Sequence, residues 1–240
     1  MLLLHGWAAN HHVYDDFRTY LGERDIWAPD LPGHGLNHDA NFDAATFADC
    51  LALNMQEPHH IVAWSLGGQV ALQLALRHPD KVKTLCLCAT FAKLLQSHDY
   101  EVGLVQSKLN GMIPVFQADY GKTMTQFLQL QILYTPERKH AIDMILPNVI
   151  ACGVPQGLQS AQQYAAKADL RAQLPQIHTP TLCVCGDKDT ITPMRLGEYL
   201  AEHLPNAHLM VIAKAVHAPF ISHPQQMATE LIEFWNTHEA

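Results

Sequence analysis

Ile61-Val62-Ala63-Trp64-Ser65-Leu66-Gly67-Gly68 reads as an apolar strand, a tight turn through small residues and the start of a helix. Ser65 falls at the turn. A strand–elbow–helix arrangement of this kind lifts a serine hydroxyl above the end of a sheet. Such a turn needs small neighbours two residues to either side of the serine. Here they are Ala63 and Gly67, so the usual G-x-S-x-G pattern appears as A-x-S-x-G. On the octapeptide alone, the competing reading is a serine that caps an ordinary helix after a strand.

Outward from this unit, short apolar runs alternate with helical stretches. The runs Leu2–Leu4, Ile26–Ala28, Ile61–Trp64, Thr84–Ala89, Thr181–Cys185 and Leu209–Ile212 are nearly continuously apolar, as strands covered on both faces should be. Helical spacing covers Asp43–Met55, Gly67–His78 and Met194–Leu204, and Pro79 and Pro205 stop the latter two. The last helix begins at Ser222-His223-Pro224, and Met227, Leu231, Phe234 and Trp235 form its apolar stripe. The alternation predicts an α/β fold, a doubly wound, mostly parallel sheet with right-handed crossovers. It breaks between about Phe91 and Leu174, where no convincing strand is found. Helical patterns at Asp119–Leu133 and Glu137–Leu146 are interrupted there by Pro114, Pro136, Pro147 and Pro155. The organisation expected is a core of residues 1–91 and 175–240 with a helical lid, residues 92–174, inserted over the strand ends.

A chain of 240 residues fits one domain with a sizeable core. Apolar residues are 48% and charged residues 16%, with mean hydropathy −0.04. That is a globular composition. The net charge of −8 speaks against a general binder of nucleic acid or anionic membrane. No apolar run reaches the ~18–20 residues that span a bilayer. Met1-Leu2-Leu3-Leu4-His5-Gly6 lacks the basic start and the length of a secretory signal. Six cysteines, four of them in strand-like runs, read as reduced core thiols, which places the chain in the cytoplasm.

Three further segments carry chemistry. Leu2-Leu3-Leu4-His5-Gly6-Trp7 is a strand running into a loop. In serine hydrolases of this architecture such a loop gives one backbone N–H to the oxyanion hole, and the residue after the nucleophile gives the other. That assigns Trp7 and Leu66. Next, Gly186-Asp187-Lys188-Asp189-Thr190-Ile191-Thr192-Pro193 follows a strand and offers two aspartates, Asp187 and Asp189, for the acid that orients a base. His217, between the run Leu209–Ile212 and the last helix, is placed to reach back to Ser65. The other fifteen histidines read as solvated surface, and the pairs His11-His12 and His59-His60 lack carboxylates at metal spacing. Cys86, Cys88, Cys183 and Cys185 lie at i, i+2 on two strands. Four thiols that cluster could serve a metal or redox role, but small buried hydrophobes are the ordinary case.

Taken together, Leu4-His5-Gly6-Trp7, Trp64-Ser65-Leu66-Gly67-Gly68 and Ala213-Lys214-Ala215-Val216-His217-Ala218-Pro219-Phe220-Ile221-Ser222-His223-Pro224 resemble the α/β-hydrolases. More narrowly, they resemble the pimeloyl-acyl-carrier-protein methyl ester carboxylesterases of biotin synthesis. The resemblance covers nearly the whole chain and implies a Ser65-Asp189-His217 triad, with Asp187 left to the loop backbone. It also implies that Phe127, Leu128, Gln129, Leu130 and Gln131 touch substrate, and that Lys167-Ala168-Asp169-Leu170-Arg171 returns the lid to the core. An apolar trough for a medium-length acyl chain would be lined by Phe127, Leu128, Leu130, Trp7 and Trp64, with a polar contact from Gln131; self-packing of the lid is the competing reading. No cofactor or metal is implied. The implied partner is an acyl-carrier protein, and the chain is expected as a monomer.

Three departures from the resemblance stand out. The chain opens at what would be the third strand, without the usual leading hairpin. Ala63 replaces the first elbow glycine. The lid offers Lys122, Arg138, Lys139 and His140, with Arg171 near its return, but Gln126 and Asp143 stand where arginines are expected. Rival functions on the same fold are a broader carboxylesterase, a C–C bond hydrolase or a lyase of quinone synthesis. A catalytically silent binding protein is the rival of a different class.

Overall fold

The computed structural model describes residues 1–238. Strands β1 (Leu2–Leu4), β2 (His59–Trp64), β3 (Val82–Cys88), β4 (Thr181–Gly186) and β5 (Ala207–Ile212) form one sheet in the order β1-β2-β3-β4-β5. Every neighbouring pair is parallel. The helices, in chain order, are α1 (Asp15–Arg18), α2 (Ala44–Asn54), α3 (Gly67–Arg77), α4 (Met112–Ala118), α5 (Tyr120–Gln131), α6 (Lys139–Ala151), α7 (Leu158–Lys167), α8 (Met194–His203), α9 (Pro219–Ser222) and α10 (Pro224–Asn236).

Ile26–Ala28 does not become a strand. Trp27 alone bridges Leu2 in parallel, with Trp27 N donating to Met1 O and Leu3 N donating to Trp27 O, both at 2.9 Å. The next ladder bond would come from residue 29, which is proline and has no N–H to give. This truncated edge still fixes the topology. The chain leaves β1 towards the edge over one face of the sheet and returns to β2 over the other. β1 and β2 therefore flank the switch point, outside whose strand ends ligands bind in open α/β sheets.

The pleat divides the core in two. Leu2, Leu4, Ile61, Ala63, Leu85, Leu87 and Cys183 face α2, α3 and α8. Leu3, Val62, Trp64, Cys86, Cys88, Leu182 and Val184 face α1 and α10, where Met227, Leu231 and Trp235 pack and Phe234 lies at the margin. The same alternation separates the thiols. Cys86 pairs with Leu182 and Leu87 with Cys183, so Cys86 and Cys88 point to one face and Cys183 to the other. The sheet thus keeps the thiols from forming one cluster, and they pack as small buried hydrophobes. Burial holds the Cys86, Cys88 and Cys183 thiols well above their ordinary pKa, which makes them poor nucleophiles.

Between β3 and β4 lie α4 to α7, with no strand of the sheet among the described residues. Two prolines expected to interrupt this segment do not. Pro114 occupies the first turn of α4, where no intrahelical N–H bond is lost. Pro147 sits inside α6 on its exposed side, where water can satisfy the freed carbonyl. No helix among the described residues is long and apolar enough to cross a membrane.

Candidate active site

β2 ends at Trp64, and Ser65 turns the chain with φ +53°. That left-handed conformation costs a non-glycine residue energy and persists only where the surroundings impose it. Three backbone contacts do so. Ser65 N donates to Cys88 O at 2.9 Å, and the Ser65 carbonyl accepts from Gly68 N at 3.0 Å and from Thr90 Oγ1 at 2.6 Å. Gly67 is required at the start of α3, because a Cβ there would lie 2.5 Å from Leu4 O and 2.6 Å from His5 O. Ala63, by contrast, is fully buried among the core side chains without conflict.

His217 Nδ1 lies 2.8 Å from Asp189 Oδ2. Asp189 Oδ1 accepts from Ile191 N at 2.8 Å and Thr192 N at 3.0 Å, and Oδ2 also meets the Thr192 hydroxyl at 2.8 Å. Burial alone would raise the Asp189 carboxyl. The facing His217 and the Thr192 hydroxyl and amide outweigh it and hold the carboxyl below its ordinary pKa. Asp187 serves the loop instead, with Oδ1 accepting from Lys214 N at 2.6 Å. Trp64 Nε1 donates to His217 O at 2.8 Å, fixing the backbone of that residue. Thr192 is a member of the site that the sequence reading missed; the only signal for it is its place in the G-D-x-D-x-x-x-P loop.

Ser65 and His217 open onto one cavity of about 310 Å³, walled by Trp7, Trp64, Phe116 and Phe127 among others. No hydrogen bond joins the two side chains directly among the described residues. Leu66 also lines the cavity. Neither the Trp7 nor the Leu66 amide donates to a protein acceptor among the described residues. The Trp7 ring is anchored by Nε1, which donates to Leu158 O at 3.0 Å.

Of Phe127–Gln131, only Phe127 reaches this cavity. Leu128 is buried in the core against the second face, and Gln129 and Leu130 are exposed. Gln131 shares the helix face of Phe127 but turns beneath it: its Oε1 accepts from Ala218 N at 2.9 Å. The expected trough therefore has other walls. Met112 and Phe116 supply part of it, and their i, i+4 spacing is the signal that sequence reading passed over.

Two of the histidines assigned to surface are instead fully buried beside the Trp7 loop. His5 Nδ1 donates to Gly6 O at 2.8 Å, and His5 Nε2 accepts from Leu31 N at 2.9 Å, so the ring is neutral. His34 Nδ1 donates to Pro32 O at 2.9 Å, while its Nε2 is buried without a partner. Burial lowers both pKa values, that of His34 to about 4. A histidine depressed in the folded state takes up its proton first in the unfolded chain. Stability is therefore intact above about pH 6.5 and lost as pH falls towards 4. For His34 the loss is on the order of 2–3 kcal/mol. Urea melts at pH 7 and pH 4.5 should show a lower midpoint at the acid pH with an unchanged m value. A midpoint constant over that range contradicts this account.

The cations of the insertion do not form one free patch. Arg138 is buried: Nη2 pairs with Asp16, Nε donates to Ile221 O at 3.0 Å and Nη1 donates to Tyr20 Oη at 2.9 Å. Arg171 is held by Asp99 and Asp169. Lys139 pairs with Asp143, and both are exposed. Lys122 is exposed and makes no ion pair among the described residues.

A family model for the alpha/beta hydrolase fold matches residues 1–224. A protein of Neisseria meningitidis serogroup C, pimeloyl-[acyl-carrier protein] methyl ester esterase, is 47% identical over 97% of this chain and 91% of its own length. The protein of the same name from Chromobacterium violaceum is 34% identical over 99% of this chain and 94% of its own. Among solved structures, an esterase from Exiguobacterium antarcticum superposes with a TM-score of 0.83 at 23% identity, covering 97% of this chain and 90% of that one. A bromoperoxidase from Bacillus anthracis gives 0.84 at 19% identity, over 98% and 91%. At such identities the two structures speak for the fold alone. The doubly wound sheet, the elbow at its switch point and the relatives lead to one placement: the chain belongs to the alpha/beta hydrolase family and, within it, to the group of the pimeloyl-[acyl-carrier protein] methyl ester esterases.

Proposed function

We propose that this chain is a serine carboxylesterase that cleaves the methyl ester of a pimeloyl chain carried on an acyl-carrier protein. The observation that carries the reading is the buried His217–Asp189 pair opening, with Ser65, onto one apolar cavity. At about 310 Å³ the cavity falls at the low end of small-ligand sites. The names of the relatives supply the acyl group and the carrier.

In this reading Ser65 Oγ attacks the ester carbonyl as its proton passes to His217 Nε2. Asp189 holds Nδ1–H and stabilises the imidazolium. The free Trp7 and Leu66 amides receive the oxyanion, each worth roughly 3 kcal/mol to the transition state. His217 returns the proton to the departing methoxide, which leaves as methanol. Water, deprotonated by His217, then releases the acid and restores Ser65. Residues 92–174 act as the lid over the core of residues 1–91 and 175–240. Lys122 and Lys139 are two of the exposed lid cations, and they meet an acidic carrier. Six free cysteines suit a reducing, cytoplasmic setting.

The test uses the carrier-bound methyl ester and a small free diester side by side. Wild type should release free acid and methanol from the carrier-bound ester with the higher kcat/KM. Lys122→Glu combined with Lys139→Glu should lower that value several-fold, more so at low salt, and leave the free ester unchanged. Turnover of the free ester alone would make this a general esterase. Equal loss on both substrates would mean damage to the lid.

A further inference from the structure

His217 is followed by a single helical turn, α9, and side chains of the insertion hold it at both ends. Ile221 N donates back to Ala218 O at 2.9 Å, closing the turn. At its start, Gln131 Oε1 accepts from Ala218 N at 2.9 Å. The same amide donates from Nε2 to Phe127 O at 2.9 Å, so its orientation is set by two backbone partners with opposite needs. At the other end, Arg138 Nε donates to Ile221 O at 3.0 Å, with its guanidinium fixed by Asp16 and Tyr20. Gln131 is 1% and Arg138 9% exposed. The two residues bracket the C-terminus of α5 and the turn that follows. The insertion thus grips both ends of the segment that carries His217, while Trp64 Nε1 holds the His217 carbonyl from β2.

We infer that Gln131 and Arg138 are positioning residues: by clamping Ala218–Ile221 to the insertion, they set where His217 stands over Ser65. The inference rests on the serine-triad reading given above. Neither side chain lines the cavity, so each acts through the base and not on the acyl chain. The consequence is that the base is seated only while α5 is docked, which couples the lid to the chemistry. A buried N–H deprived of its acceptor carries an uncompensated desolvation cost, which favours a shifted backbone that restores a partner, and a misplacement of about 1 Å in a catalytic group costs on the order of 100-fold.

Gln131→Met keeps the length of the side chain and removes the acceptor. It should lower kcat roughly 10- to 100-fold on both p-nitrophenyl acetate and a long-chain methyl ester, with KM within about twofold of wild type. The rate at which a phosphonate labels Ser65 should fall in parallel. Gln131→Glu restores an acceptor oxygen for Ala218 N but offers no donor to Phe127 O, and should recover part of the lost kcat. Arg138→Lys keeps the charge facing Asp16 but loses the Nε donor to Ile221, and should also lower kcat at constant KM. It decides the matter if Gln131→Met does not fold. Unchanged kcat overturns the proposal. So does a loss confined to KM of long-chain esters, which would make Gln131 a substrate contact, or a failure of the glutamate to restore activity. Failure of the triad reading itself is seen separately, as turnover by Ser65→Ala.

Discussion

Ser65→Ala should lower turnover of any ester by roughly five to six orders of magnitude. Substrate binding should survive, because the walls of the cavity are unchanged. The size of the effect follows from the absence of a substitute. Thr192 is the nearest hydroxyl to the His217–Asp189 pair, but it lies 2.8 Å from Asp189 Oδ2 and 2.9 Å from Ala89 O. It is a part of the orienting network and is not free to attack. What remains in the variant is the cavity and the free amides of Trp7 and Leu66, which together account for a residual rate above that in water. In the wild type, a fluorophosphonate should add once, at Ser65, as read by intact mass and peptide mapping. An active Ser65→Ala enzyme, or label on another serine, would remove Ser65 from the mechanism.

Much of this was legible in the sequence, for physical reasons that differ from part to part. The buried parallel strands announce themselves because both faces are covered, so Ile61–Trp64 and Leu182–Cys185 are apolar throughout. The elbow is legible because its backbone path excludes a side chain at residue 67. Ile26–Ala28 looks the same as the true strands, and only the missing N–H of Pro29 marks it as an edge. The insertion was legible as helices but not as a surface. Its apolar residues serve the cavity, the core and the solvent side with one vocabulary: Phe127, Leu128 and Leu130 go to three different places. Charge was equally misleading there. Arg138 reads as a lid cation, and its part in a buried network depends on Asp16, 122 residues away in sequence. His5 and His34 escaped because nothing in a single histidine distinguishes a ring that bonds buried backbone from one in water.

The two aspartates that the sequence left in competition should separate by orders of magnitude on exchange for asparagine. At Asp189, Oδ1 faces two backbone donors, the Ile191 and Thr192 amides, and Oδ2 faces His217 Nδ1. An asparagine there keeps its carbonyl oxygen towards the two amides, because turning it round would set its NH₂ against two N–H groups. The NH₂ is then presented to His217 Nδ1 as a donor, and Nδ1 must accept. The imidazole proton moves to Nε2, the atom that has to take the proton of Ser65. Thr192, relieved of Oδ2, still has Ala89 O at 2.9 Å. The site therefore stays folded in the wrong tautomer, and kcat should fall by roughly 10⁴-fold. At Asp187 the partners are a single backbone donor, Lys214 N, and an ion pair with the half-exposed Lys188. The Asp187→Asn exchange retains an oxygen for Lys214 and loses only a surface charge pair, which is worth about 1 kcal/mol or less. Its kcat should stay within a few-fold of wild type. The comparison is read from steady-state kcat of the two variants at neutral pH, with thermal melts to confirm that both are folded. If Asp187→Asn proves the damaging exchange and Asp189→Asn the mild one, the orienting acid is Asp187, and the hydrogen bond between His217 and Asp189 has no part in catalysis.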